Sequence, residues 1–428
     1  MTRELAIDVC RRLREAGFEA VWAGGCVRDL LLDVEPSDYD VATSATPDEV
    51  RGVFGKRRTL AVGEAFGVII VLGRRGADGV VPQVEVATFR RDGAYADGRR
   101  PDAVEFCDAA EDARRRDFTI NALFADPLAE GRFEQAVIDY VGGLDDLRAR
   151  RLRAVGEAAT RFDEDKLRML RAVRFTQRLG RDFGFSLEPG TQAAIVAHAA
   201  SIAVVSAERI QQELAKMLTH PARADGFALL HDVDLLSRIF PELAGDDPAA
   251  RFDRLEAMER AGDWRSGDPE AVGWAMLLWP LADDGIAAVA RRLAWSNRLA
   301  KTVRWLRRNA ASLAAANTPL SVAKPLLADG RAAELLWAAA ATHVEDAAAG
   351  AAGARHWTRY REATASDVLN PPPLLTGADL IAEGLRPGPE FRTQLDAIRR
   401  LQLDEEISTR AEAFETLVRL RQAAARDA

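Results

Sequence analysis

Near the start of the chain, Gly24-Gly25-Cys26-Val27-Arg28-Asp29 leads into an apolar run (Leu30, Leu31, Leu32), and Asp38-Tyr39-Asp40 follows soon after. A glycine pair ahead of an apolar helix demands a tight turn, and Ala20-Val21-Trp22 reads as the strand that enters it. The aspartates add a second constraint, because side chains at i and i+2 of a strand share a face. On a strand, Asp38 and Asp40 aim at one point, with Tyr39 and Val41 turned away. Two convergent carboxylates make a hard oxygen site suited to Mg²⁺. The helix start beside them supplies backbone N–H groups for a phosphate. Together these features describe metal-assisted attack on a nucleoside triphosphate.

The strand signal is confined to the first part of the chain. A helix is expected over residues 4–16, and Phe66 to Leu72, Val84 to Phe89 and Ile138-Asp139-Tyr140 are β-rich runs. After Gly156, Leu/Ala/Arg periodicities at helical spacing continue to the end. The expected class is α+β: a mixed α/β head over 1–156, then an all-helical neck (157–220), body (221–369) and tail (370–428). A chain of 428 residues is too long for one ordinary core. Pro221 and Pro241 mark helix breaks, and Asn370-Pro371-Pro372-Pro373 predicts a stiff, extended linker.

Composition excludes several classes. The apolar stretch Ala271 to Ala282 is short and broken by Pro280, so it reads as a buried helix rather than a membrane span. Met1 to Leu13 carries Arg3, Glu4, Asp8, Arg11 and Arg12, with no apolar signal core. Cys10, Cys26 and Cys107 show no paired spacing, so reduced thiols and a cytoplasmic location are expected. The net charge is −8, yet Arg114-Arg115-Arg116, Arg148 to Arg153, and Arg168, Arg171, Arg174 and Arg178 concentrate positive charge locally. Such clusters suit a phosphate track, although the 148–153 group reads equally as a solvated face. His231-Asp232 suggests a phosphohydrolase metal centre, but with five histidines in the chain and no supporting motif it reads as a helix-surface pair.

The first motif is joined by others in order: Arg115-Arg116-Asp117-Phe118-Thr119-Ile120-Asn121, then Asp139-Tyr140-Val141-Gly142-Gly143-Leu144, then Arg161 to Phe175, then Ser206 to Leu214. Within the fourth, Asp165, Arg168, Arg171 and Arg174 are spaced by three on an expected helix, which on its own describes i,i+3 ion pairs. The full set resembles the nucleotidyltransferase superfamily, in the branch of class II tRNA nucleotidyltransferases (CCA-adding enzymes) and bacterial poly(A) polymerases. The resemblance covers most of residues 20–218.

That resemblance implies a polymerase-β-like head and a set of roles. Asp38 and Asp40 would hold Mg²⁺. Glu85 would be a third catalytic acid, or else a salt-bridge partner of Arg28 or Arg90. Gly25, Arg28 and Arg116 match nucleotide-contacting positions, with Asp117 and Asn121 setting up the surroundings of Arg116. The Gly/Asp/Arg-rich run from Arg91 to Ala110 matches a mobile loop, and its full length argues against a CC-only enzyme. The paired glycines Gly142-Gly143 would form a hinge. Glu164-Asp165 with Arg168 matches the segment that reads the incoming base, with Arg171 and Arg174 on the triphosphate or orienting the pair. Ser206 to Leu214 would brace that helix, and the tail would cradle tRNA. The implied activity is addition of CMP, CMP and AMP from CTP and ATP to tRNA. Poly(A) polymerase, A-only addition and a noncatalytic RNA-binding protein are the alternatives.

Overall fold

The computed structural model describes residues 2–63, 67–76, 79–92, 104–261, 267–342, 347–386 and 388–426. The chain forms two compact units, Met1–Met217 with Asp225–Pro241, and Leu218–Ala224 with Glu242–Ala428.

The first unit opens with α1 (Thr2–Glu15), β1 (Ala20–Ala23), α2 (Gly25–Leu31) and β2 (Asp40–Thr43). It continues through α3 (Pro47–Phe54), β3 (Thr59–Gly63), β4 (Val68–Leu72) and β5 (Gln83–Thr88). Next come β6 (Arg90–Asp92), β7 (Val104–Phe106), α4 (Ala109–Arg114), β8 (Phe124–Ala125) and β9 (Val137–Ile138). The main sheet is mixed and seven-stranded, in the order β3-β4-β5-β2-β1-β8-β9. Strands β2 and β5 run parallel, with Asp40 opposite Glu85, while β1 is antiparallel to both of its neighbours. Every residue of β1 is buried, as a central strand covered on both faces requires. Leu5, Ala6, Val9, Cys10 and Leu13 line one face of α1 at helical spacing and pack with Trp22, Val41, Ile69, Val84 and Val86 on one side of the sheet. Val21, Ala42, Phe89 and Phe124 form a second core on the other side.

The chain then passes through α5 (Gly143–Arg148), β10 (Arg151–Leu152), α6 (Ala158–Glu164), α7 (Leu167–Phe183), β11 (Ser186–Leu187), α8 (Pro189–His198) and α9 (Ala207–Thr219). The expectation of a purely helical remainder needs one amendment: β11 pairs in parallel with β10. Two-residue strands are too short to show a period in sequence. In the β9–α5 turn, Gly142 takes φ 81°, and a Cβ on Gly143 would lie 2.3 Å from the Thr119 carbonyl oxygen. Asp139 closes this turn by accepting the N–H groups of Val141, Gly142, Gly143 and Leu144. Close packing therefore accounts for Gly143.

The second unit is helical from Pro248–Arg260 to Arg410–Arg426. The stretch expected to be a buried helix is Pro269–Leu277, with Ala271 through Leu277 all buried. Arg399 donates to the Pro371 carbonyl at 2.7 Å and to Asn370 Oδ1 at 2.9 Å, and Gln402 donates to the Pro372 carbonyl. The proline run is thus fastened to the helix Pro389–Leu403. Among the described residues, no helix is long and apolar enough to cross a membrane.

Candidate active site

A cavity of about 750 Å³ in the first unit collects most of the expected site residues. Its lining includes Gly25, Arg28, Asp38, Asp40, Arg116, Asp165, Arg168, Arg171 and Arg174. Nine arginines and five aspartates border it, a strong local excess of positive charge within an acidic chain. Glu85 does not line it, but lies on the same sheet face as Asp40, one strand away.

The glycine turn forms one wall. Gly24 takes φ 75°, which L side chains rarely adopt, and a Cβ there would sit 2.9 Å from Arg116 Nη1. The turn thereby admits the Arg116 guanidinium beside α2. Asp38 lies just ahead of β2 rather than inside it, and Asp40 is the strand's first residue. Tyr39 and Val41 are buried on the opposite side, so the alternation read from sequence extends beyond the hydrogen-bonded ladder. Asp40 opens into the cavity, yet its pKa is pushed up to about 6. Withdrawal from bulk water is the largest cause, followed by the charge of Glu85; Arg116 opposes and Asp38 adds. Among the described residues, neither Asp40 nor Glu85 forms a salt bridge, and no three His, Cys, Asp or Glu side chains converge on a metal position. The acidic end is a two-carboxylate site. Cys26 also borders the cavity, but burial pushes its thiol up to about 11, so it is not a ready nucleophile.

Arginines held by carboxylates make the other walls. Asp112, 1% exposed, receives Arg115 through one oxygen and Arg116 through the other. Burial alone would raise the Asp112 pKa, and the two guanidinia hold it below the usual range. Arg116 also lies over the Phe124 ring at 4.9 Å. Arg28, 2% exposed, donates Nε and Nη2 to Asp29 at 2.8 and 2.6 Å and Nη1 to Asn121 Oδ1 at 2.5 Å. Arg171 grips Asp117 through Nε and Nη2 at 2.9 and 2.6 Å, which outweighs the upward push of burial on the Asp117 pKa.

The placement of Asp165 corrects the expected helical stripe. The segment is broken into α6 and α7, and Asp165 sits between them with φ −143°, ψ 105°. Its Oδ1 accepts the Leu167 N–H at 3.0 Å, ahead of the first turn of α7, and its Oδ2 accepts Arg209 Nη2 at 2.7 Å. A carboxylate there satisfies an otherwise orphaned N–H group. Arg168 is on α7, bonded to Glu164 at 2.6 Å and to the Arg115 carbonyl at 3.1 Å. Arg174 reaches Glu213 of α9 at 2.5 Å. The segment Ser206 to Leu214 therefore contacts this region through Arg209 and Glu213, and Arg209 itself lines the cavity.

Sequence reasoning did not assign Asp29, Arg90, Arg115, Phe175, Arg178 or Arg209 to the site, although all line it. Arg178 extends the arginine recurrence of α7 and could have been found from it. Arg209 offers no local clue, because its partner lies 44 residues away. Gly93 to Ala103 of the expected mobile loop lie outside the described residues, and β6 and β7 on either side pair antiparallel. His231 and Asp232 are exposed at the end of the helix Arg223–Asp232.

Comparisons with known proteins address the family and the fold. Residues 20–153 match the family described as Poly A polymerase head domain, and residues 184–246 match that described as a probable RNA and SrmB-binding site of polymerase A. A CCA-adding enzyme from Geobacillus thermodenitrificans is 38% identical over 311 residues, covering 68% of this chain and 72% of that one. Another, from Geobacillus stearothermophilus, is 41% identical over 248 residues, covering 58% and 57%. The solved Bacillus stearothermophilus CCA-adding enzyme in complex with CTP aligns over 99% of both chains, with a TM-score of 0.74 and 29% identity. The Thermotoga maritima CCA-adding enzyme complexed with tRNA shares the fold, with a TM-score of 0.66 and 21% identity over 97% and 94% of the chains. On the strength of a relative matched over most of its length and a shared fold from end to end, this chain belongs to the family of CCA-adding enzymes.

Proposed function

We propose that the chain is a template-independent CCA-adding tRNA nucleotidyltransferase, acting in the cytoplasm. It transfers CMP, CMP and then AMP from CTP and ATP to the 3′ end of tRNA and releases pyrophosphate. The observation that carries this reading is the convergence of Asp38 and Asp40, an arginine wall, and Asp165 with Arg168 on one cavity. The first two features serve any nucleotidyl transfer, and the third adds a way to choose the base.

The acidic end fits a divalent cation, which we assign as Mg²⁺. Its donors are hard oxygens, and Asp40 forms no salt bridge among the described residues while Glu85 and Asp38 crowd it with like charge that Arg116 offsets only in part. When bound, the ion would promote ionisation of the attacking 3′-hydroxyl and offset charge at the α-phosphate. Asp38 and Asp40 would hold it. Glu85, on the next strand, deepens the negative field as the third acid. Arg28, Arg116, Arg171 and Arg174, with the Gly25 backbone N–H at the first turn of α2, orient the triphosphate. Arg28 uses three of its N–H groups internally, and a guanidinium has five, so two remain for phosphate oxygens. Catalysis here is positioning and charge stabilisation.

Base choice follows from hydrogen-bonding edges. Cytosine and adenine each present an amino donor beside a ring-nitrogen acceptor, while uracil and guanine present the reverse. A carboxylate oxygen accepts more than one hydrogen bond, so Asp165 can take the amino group while keeping Arg209 and Leu167. Arg168 donates to the ring nitrogen. The wrong bases would leave these groups unpaired, which is costly when buried. The tail over 370–428 is assigned to the tRNA body, held by shape and phosphates.

The test is incorporation onto tRNA lacking CCA, with CTP alone, ATP alone and both. The reading predicts CC with CTP alone and CCA with both. No CMP incorporation would contradict it, and long A tracts would identify a poly(A) polymerase.

A further inference from the structure

Arg28, on the glycine-turn helix, and Arg171, on α7, are joined by a continuous polar chain. Arg28 Nη1 donates to Asn121 Oδ1 at 2.5 Å, Asn121 Nδ2 donates to Asp117 Oδ1 at 3.1 Å, and Arg171 donates to Asp117 Oδ2. A second route links the same two helices: Arg28 bonds Asp29 Oδ1, and Arg178 of α7 bonds Asp29 Oδ2 at 3.2 Å. Between the two routes stands Phe175 of α7, with the guanidinia of Arg28 and Arg171 each 5.4 Å from its ring centre. Asn121 is the one uncharged side chain in the chain of hydrogen bonds, and it is buried.

Its chemistry is dictated by its neighbours. Arg28 has only donors, so the residue at 121 must offer it an acceptor. Asp117 is held ionised by Arg171, so the residue at 121 must offer it a donor. An amide of this length meets both demands. A carboxylate would satisfy Arg28 but place like charge against Asp117. A hydroxyl is too short to span the two.

We propose that Asn121 is a positioning residue that couples the triphosphate grip of Arg28 to the base-reading helix α7 through Asp117 and Arg171. The proposal rests on the functional reading above. Its consequence is that base choice and triphosphate affinity change together when the link is cut, although Asn121 touches neither Asp165 nor Arg168.

The experiment compares the full-length wild type with Asn121→Asp and Asn121→Ser, measuring kcat and KM for CTP and UTP on tRNA lacking CCA. For both variants we expect KM for CTP to rise and the CTP-over-UTP ratio of kcat/KM to fall about tenfold. A purely structural role would instead lower both nucleotides in parallel and preserve the ratio, and that result, or unchanged kinetics, overturns the coupling. A second measurement needs no turnover: the unfolding free energies of Arg28→Lys, Arg171→Lys and the double variant. We expect non-additive effects with Asn121 present and a clearly smaller coupling in the Asn121→Ser background, where the shared Phe175 ring and the Asp29 route remain. Equal coupling in the two backgrounds overturns the proposal even if the wild type proves to add no CMP, an outcome that would refute the functional reading instead.

Discussion

At the acidic end of the cavity, Asp40 stands beside Asp38 and its strand partner Glu85 and forms no salt bridge among the described residues. At the arginine end, Arg116 rests on Asp112, Arg168 on Glu164, Arg171 on Asp117, Arg174 on Glu213 and Arg209 on Asp165. The shifts go in opposite directions: Asp40 is driven up to about 6, while Asp112, Asp117 and Glu213 are held low by guanidinia. One end keeps an excess of negative charge, offset only in part by Arg116, that a cation would relieve. The other is assembled in advance, so that ligand binding reorganises little. A site for metal-assisted phosphoryl chemistry needs both, since preorganised donors act on developing charge without paying to reorient.

The contrast can be broken at either end. The largest effect is expected for Asp40→Ala, which should lower nucleotide incorporation by about a thousandfold or more while tRNA binding, read by gel shift, is retained. Normal turnover would remove the metal role. At the arginine end, Asp112→Ala leaves two guanidinia without their shared acceptor and should cost on the order of 3 kcal/mol, read as a shifted denaturant midpoint. A smaller loss of about 1–2 kcal/mol is expected for Phe175→Leu, which removes the ring faced by Arg28, Arg171 and Arg174, with Phe175→Tyr restoring most of it. The smallest effect is in acid. The folded pKa of Asp112 lies below its unfolded value, so its contribution is complete above about pH 4 and is lost as pH falls through the folded value. As pH falls below about 4, the wild type should therefore lose more stability than Asp112→Asn. Equal losses would show that the pair contributes nothing in acid.

The difference between the two ends also explains what could be read from the chain. Asp38, Asp40 and the glycine turn are close in sequence, and strand alternation with a single φ requirement brings them together. The sheet strands with clear alternation or apolar runs, β1, β4 and β5, were equally legible. Asp165 was assigned to a helix because spacing by three looks helical. Its actual conformation depends on Arg209 and on capping α7, and the first of these is a long-range partner. Strands β8 and β11 have two residues each and exist only through their neighbours. Segments that the family resemblance named line one cavity, but the carboxylate that holds each arginine is a matter of packing and could not be read from spacing.

The most direct test of the account is single-nucleotide addition to tRNA lacking CCA by wild type and Asp165→Ala, with each of CTP, ATP, UTP and GTP, followed by sequencing of the 3′ ends. The account predicts that the wild type accepts CTP and rejects UTP and GTP, and that the variant admits both at a cost in rate. A variant that turns over yet selects as strictly as the wild type would contradict it.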